Sequence, residues 1–263
     1  MYKLVRTTSI LAFLGFALLF IEGCSEDANS LDVDQKLTQA ELKTILETDD
    51  VTGAADTVLA ELYSNAAAGK STQKTNDCYA VEYSQSGFVA TFNNCVLNGT
   101  ENINGSLTVT YINEGETVAF TAAYSDFYVG SIKINGTKTF TISSDAEQGT
   151  LSFTVTSEMT VVMEDESEIT EVGTKTFGFS FGENLENFSF SISGNWTITA
   201  EGHTYSIETT QDLESGLGCE YVTTGSMDVA KNGLKVNVDF GDGECDNIAT
   251  LTYPDGTTEE IEL

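Results

Sequence analysis

From Tyr79 to Leu263, apolar and polar positions alternate with a period of two in one segment after another. Phe177, Phe179 and Phe181, then Phe188, Phe190 and Ile192, are apolar at every second position, with Gly or Ser between them. Successive side chains of a strand point to opposite faces. The pattern therefore predicts strands with one buried face, as in an antiparallel sheet. Leu107–Tyr111, Val118–Ala122, Ser131–Ile134, Thr137–Ile142, Leu151–Thr156, Met159–Met163, Trp196–Thr199 and Thr204–Ile207 read the same way, separated by Gly, Asn and Asp turns. About fifteen strands are expected on this reading.

The period is different upstream. Thr38-Gln39-Ala40-Glu41 fits a capping box, and Leu42, Ile45 and Leu46 then form one helical stripe. A second helix is expected from about Gly53 to Asn65, with Val58, Leu59, Leu62 and Tyr63 on its apolar side. The expected fold is mainly β: two short helices (residues 38–70), then a long antiparallel meander (residues 71–263) that curls into a barrel-like or sandwich form. The helices would cover one end or edge of the sheet.

Gly105, Gly136, Gly173, Gly194 and Gly225 are each followed by Ser, Thr or Asn at the start of a strand pattern. Their unequal intervals argue against a solenoid. Pairs such as Asn104-Gly105 and Asn135-Gly136 read as recurring hairpin turns. The one Pro, Pro254, lies in the turn sequence Tyr253-Pro254-Asp255-Gly256.

Charge narrows the function. Lys+Arg number 11 against 41 Asp+Glu, for a net charge of −30. Nucleic-acid affinity rests on cations that neutralise phosphates, so no nucleic-acid partner is expected. Basic-patch contacts with anionic lipid heads are not expected, on the same ground. With 40% hydrophobic and 10% aromatic residues the chain can build a core. One His excludes multi-His metal sites and leaves only His203 for a triad.

The first residues carry Lys3 and Arg6, followed by an unbroken apolar run over 10–21. That run is too short to cross about 30 Å of hydrocarbon as a helix, which takes roughly 20 residues. A basic segment followed by such a run reads as a secretory signal. Ile21-Glu22-Gly23-Cys24 resembles the lipobox of bacterial lipoproteins, with Glu22 standing where a small or hydroxyl residue is usual. The resemblance covers residues 1–24. It implies removal of residues 1–23, acylation of Cys24 and stable attachment through several acyl chains. Ser25, in place of Asp, implies outer-membrane sorting, and Ser25-Glu26-Asp27 resembles a surface-export signal. Residues 24–37 are then the lipidated Cys and an acidic tether with about 20 Å of reach. The mature chain would hold 11 − 2 = 9 cations and 41 − 1 = 40 acids, hence −31.

Four further cysteines remain. A two-residue turn at Ser86-Gly87 pairs Gln85 with Phe88 and carries Cys78 opposite Cys95. A three-residue loop at Lys231-Asn232-Gly233 pairs Ala230 with Leu234 and carries Cys219 opposite Cys245. A two-residue Asn-Gly turn would miss that pairing by one residue, and a bulge around Gly241–Gly243 would also shift it. Bridges Cys78–Cys95 and Cys219–Cys245 are therefore expected, as suits an oxidising compartment.

Signals for chemistry are sparse. Gly178-Phe179-Ser180-Phe181-Gly182 matches G-x-S-x-G, but it lies inside a strand pattern rather than at a strand-turn-helix elbow. His203 follows Gly202 in an expected turn. Asp239, Asp242 and Asp246 surround two glycines and are a weak candidate for Ca²⁺, without EF-hand spacing; they read better as a bulged turn with solvated acids. Glu164-Asp165-Glu166 reads as a solvated hairpin tip. Trp196 and the tyrosines offer rings for sugar stacking or, equally, for a core. Asp56-Thr57-Val58 resembles a bacterial O-glycosylation acceptor. No catalytic residue and no cofactor is expected. The chain reads as a non-enzymatic structural or binding module of the cell envelope, held to the outer membrane by its lipid, with a protein or glycan partner. The alternatives are a carrier of a lipid or other amphiphile and a glycan-acting enzyme.

Overall fold

The structure is a computed structural model that describes residues 36–46, 48, 55, 58, 59, 62, 74, 75, 78–96, 102–112, 118–145, 149–180, 189–216, 219 and 221–263. One short helix, α1, covers 39–46. Thr38 caps it as the sequence implies: Thr38 N donates to Glu41 Oε2 at 2.9 Å and Glu41 N to Thr38 Oγ1 at 3.3 Å. Leu37 and Leu42 occupy the two positions of a hydrophobic staple, and both are buried, as is Ile45. α1 is the one helix that stands as an element among the described residues, against the two expected. Of the second, only Ala55, Val58, Leu59 and Leu62 are described, each helical and each buried. Among the described residues no helix is long and apolar enough to cross a membrane.

The strands are β1 (Lys74–Thr75), β2 (Tyr79–Ser84), β3 (Gly87–Cys95), β4 (Ile103–Ile112), β5 (Val118–Val129), β6 (Ile132–Asp145) and β7 (Thr150–Val162). They continue as β8 (Glu168–Ser180), β9 (Ser189–Ala200), β10 (His203–Gly216), β11 (Thr224–Lys231), β12 (Leu234–Asp242), β13 (Ile248–Thr252) and β14 (Thr258–Glu262). They form one antiparallel sheet in sequence order, and the pairing between described residues does not close β14 onto β1. The strand count and the meander are close to the sequence reading.

One face of the sheet is apolar. Ile134, Phe140, Val155, Met159, Val161, Trp196 and Ile198 are buried on it. The buried helical residues Ala55, Val58, Leu59 and Leu62 join the core built by β2 to β7. The other face carries hydroxyls in register. Thr110, Thr121, Thr139, Thr156 and Thr174 stand side by side on β4 to β8. Thr121–Thr139 and Thr156–Thr174 are each hydrogen-bonded at 3.0 Å. Such pairs are the unit of stability on a solvated sheet face.

The repeated glycines are not hairpin turns, which corrects the sequence reading. Gly105, Gly136, Gly173, Gly194 and Gly225 lie inside β4, β6, β8, β9 and β11, all at positive φ. A Cβ on Gly105 would sit 1.9 Å from the Asp126 carbonyl oxygen, and one on Gly173 would sit 2.4 Å from Trp196 Cα. Neighbouring backbones therefore approach too closely for any side chain. The Asn that precedes two of these glycines has its own task. Asn104 Oδ1 accepts the N–H of Asn94 at 2.7 Å, and Asn135 Oδ1 accepts that of Asp126 at 2.8 Å. Asn94 and Asp126 are themselves bulge residues at φ 54° and 45°. From β3 to β6 a bulge and a glycine alternate from strand to strand, and β8 and β9 carry glycines on neighbouring strands, a crease of the kind that bends a sheet.

Both disulfides form, by routes other than those expected. In the first hairpin Ser84 pairs with Gly87 and Tyr79 with Phe92, so Cys78 lies across from Asn93, whose N–H donates to the Cys78 carbonyl at 2.8 Å. The bulge at Asn94 brings Cys95 back to Cys78, with a Cα–Cα distance of 5.1 Å. In the second, Asn232-Gly233 is a two-residue turn, φ 50° and 82°, pairing Lys231 with Leu234. The register shift between Thr224 and Ser226 pairs Thr224 with Asp242, which does not restore the expected cysteine register; Cys219 and Cys245 meet beyond the end of the ladder, with a Cα–Cα distance of 5.8 Å.

Candidate functional site

Two polar clusters lie back to back near the crease. The first is on the apolar face. Lys138, Ser157, Glu171 and Lys175 are at most 4% exposed. Register places them together: Lys138 opposite Ser157, Ser157 opposite Gly173, and Lys175 opposite Gly194. The two glycines leave room for what stands beside them. Glu171 Oε2 accepts from Lys175 Nζ at 2.8 Å, and its Oε1 accepts from Ser157 Oγ at 2.7 Å. Lys175 Nζ also lies 4.7 Å from the centre of the Trp196 ring, a cation–π contact. Burial opposes ionisation of Glu171, but the charge and hydrogen bond of Lys175, the Ser157 hydrogen bond and the charge of Lys138 outweigh it, so its pKa lies below the usual value. Their burial removes these groups from any solvent-borne substrate. Glu171 and Lys175 neutralise each other inside the layer, and the Ser157 hydrogen bond and the Trp196 contact tie β7, β8 and β9 together.

The sequence held a signal for this layer that composition and motif reading missed. Lys138, Glu171 and Lys175 fall on the apolar phase of their strands, in step with Phe140, Ile169 and Phe177. A charge on the buried phase of an alternating strand must find a partner inside.

The second cluster is on the solvated face, over β8 to β12. Asn195, Glu208 and Asp228 are direct cross-strand neighbours, as are Thr197 and Ser206 in the next row. Small residues, Gly173, Ser206 and Ala230, form the floor of a hollow of about 260 Å³, and Val172, Glu208 and Lys235 rise around it. Asp228 is fixed from two sides: Lys235 Nζ is 2.6 Å from Oδ2, and Asn237 Nδ2 donates to Oδ1 at 2.9 Å. Burial opposes ionisation of Asp228, but the hydrogen bonds from Lys235 and Asn237 and the Lys235 charge keep its carboxyl below the ordinary value. Next to the hollow, β10 slips register past Glu208, and Thr209 Oγ1 accepts the Gly194 N–H at 2.9 Å. The slip ends the regular ladder at the rim of the hollow.

The residues singled out from the sequence are placed as follows. Cys24 and Asp56-Thr57 lie outside the described residues. Ser180 closes β8 opposite Thr150 and Ser189, inside the sheet, and Phe181 and Gly182 lie outside the described residues. His203 opens β10 after the turn Glu201-Gly202 and is half-buried, with its ring 6.4 Å from that of Tyr205. Asp239 and Asp246 each accept a nearby backbone N–H, from Gly241 at 2.8 Å and Ile248 at 3.0 Å. No group of three potential ligands for a metal ion occurs among the described residues. Asp165 accepts from Ser167 in the exposed tip between β7 and β8. Trp196 belongs to the buried face under Lys175.

No protein-family model, curated protein or solved structure matches the chain.

Proposed function

We propose that the chain is a lipoprotein of the bacterial cell envelope, held by acyl chains on Cys24 at the outer membrane, whose β domain is a non-enzymatic structural or binding module. The observation that carries this reading is the sequence Ile21-Glu22-Gly23-Cys24 behind a basic segment and a short apolar run. Two further features support it. Four cysteines pair into Cys78–Cys95 and Cys219–Cys245, as suits an oxidising compartment. The strongly acidic composition favours a hydrated surface. The bulges and strand glycines support a sheet that curls toward a barrel-like form.

Metabolic labelling with a palmitate analogue tests the anchor. The expected result is a labelled chain in the outer-membrane fraction and an unlabelled, soluble Cys24→Ala variant. Label and membrane partition retained by the variant would overturn the reading.

One observation favours the carrier alternative. Phe153, Phe177, Phe179 and Phe190 sit on the apolar face only half-buried. Phe153 and Phe179 meet edge to face at 5.8 Å, and Phe177 and Phe190 stack at 6.2 Å. An acyl chain laid across these rings would complete their burial. Quenching by brominated acyl chains separates the two readings, since a module without a carrier role leaves these rings unquenched.

A further inference from the structure

We propose that the hollow on the solvated face of β8 to β12 is a binding site for a neutral saccharide. The inference rests on the binding-module reading above and names its ligand class. It starts from the hydrogen-bonding inventory of the hollow. Glu208 and Asp228 accept, Lys235 donates, and Asn195, Thr197 and Ser206 do both. These six groups occupy two adjacent rows of the sheet, Asn195-Glu208-Asp228 and Thr197-Ser206 with Lys235 across from Ala230. Along a strand the rows lie about 6.6 Å apart, and within a row neighbours lie about 4.8 Å apart. Each sugar hydroxyl is both donor and acceptor, and vicinal hydroxyls present such groups at short intervals around a ring. A grid of mixed donors and acceptors suits that ligand.

Other ligand classes fit worse. An anion meets Glu208 and Asp228 directly, on a chain whose net charge is −30. A cation would have to displace the Lys235 ammonium, already 2.6 Å from Asp228 Oδ2. An apolar ligand finds Val172, 53% exposed, at the rim and the small Ala230 in the floor, while Trp196 and Ile207 are buried. The polar groups are also set in advance. Asp228 is held by Lys235 and Asn237, and Thr197 Oγ1 lies 3.4 Å from Ser206 Oγ. Groups already fixed lose little freedom on binding. The volume, about 260 Å³, lies below the roughly 300–1,000 Å³ of sites for drug-sized ligands, which suits one or two sugar rings.

The test is calorimetric and NMR titration of the full chain in detergent with short gluco- and chito-oligosaccharides. Saturable binding is expected, with shifts at Asn195, Thr197 and Ser206. The double variant Thr197→Val/Ser206→Ala should weaken it about tenfold or more, since each lost hydrogen bond is worth a few-fold to tenfold. Thr156→Val, on the same face but outside the hollow, should leave binding unchanged. Absence of saturation with every probe, equal weakening in the control, or Ca²⁺ binding at Glu208 and Asp228 without sugar binding would each overturn the inference. Those results leave the anchored-module reading standing. New reducing ends released from a bound oligosaccharide would instead overturn its non-enzymatic part and keep the saccharide.

Discussion

Glu41, in the first turn of α1, accepts a hydrogen bond from Lys231 at the end of β11 across 2.6 Å. The same oxygen accepts from the Tyr205 hydroxyl at 2.8 Å, while the other oxygen caps Thr38. Lys231 Nζ also donates to the Lys36 carbonyl at 3.2 Å. One carboxylate therefore closes the helix cap and ties the helix to β10 and β11. Lys231 is thus a buried cation that reaches the segment leading into the helix.

Removing Lys231 leaves the half-buried Glu41 carboxylate without its counter-charge. Lys231→Met should destabilise the fold by about 2 kcal/mol. Urea unfolding should show a lower midpoint with an unchanged slope. A midpoint equal to that of the parent chain would show that helix and sheet are held by apolar packing alone.

Acid should loosen the same contacts. Burial opposes ionisation of Glu41, yet Lys231, Thr38 and Tyr205 together hold its pKa below the ordinary 4.5, and Glu171 and Asp228 are shifted the same way. A carboxyl whose pKa is lower in the folded state stabilises the fold above its unfolded pKa and loses that contribution as pH falls through the folded one. Thermal stability should therefore be flat above about pH 5 and decline progressively below the ordinary carboxylate values. Glu41→Gln should lower stability at neutral pH and flatten the decline. A parallel decline in the variant would assign the acid sensitivity to other groups.

The crease glycines and the turn glycines separate by mutation. Gly105→Ala drives a Cβ into the Asp126 carbonyl at φ 94°, whereas Gly202, at φ 79°, has open space around it. The first substitution should cost about 3 kcal/mol or more, the second about 1 kcal/mol. Equal losses, read by thermal melting, would mean that the strands can part at the crease without penalty.

Each disulfide closes a short loop, with sequence separations of 17 and 26. Replacing Cys78 and Cys95 together by Ser should lower stability by about 3 kcal/mol under oxidising conditions. The same double variant should be less sensitive to added reductant than the parent, since only Cys219–Cys245 is left to reduce. Peptide mapping without reduction checks the pairing itself.

Much of this was legible in the residues. The capping box, the strand periodicity and the choice of cysteine partners all follow from local spacing, and local spacing is what a single sequence records. The registers were not legible. Cys78 reaches Cys95 through a bulge at Asn94, and that bulge depends on Asn104, a residue of the next strand. Asn-Gly has the composition of a hairpin turn at 104–105, 135–136 and 232–233 alike, yet only the last is one. The difference lies in the neighbouring strand, whose backbone crowds the first two and leaves the third open. The hollow over β8 to β12 is hidden for the same reason, since Asn195, Glu208 and Asp228 become neighbours only once three strands are in register.

The strand order carries a further consequence. Among the described residues every strand pairs only with those before and after it in the chain, and both disulfides close within short stretches. Contacts of low sequence separation form quickly, because little loop entropy is lost before they are made. A chain delivered end-first through a pore can then lay down this sheet one hairpin at a time. Each emerging strand finds its template already in place, and no early strand waits for the last.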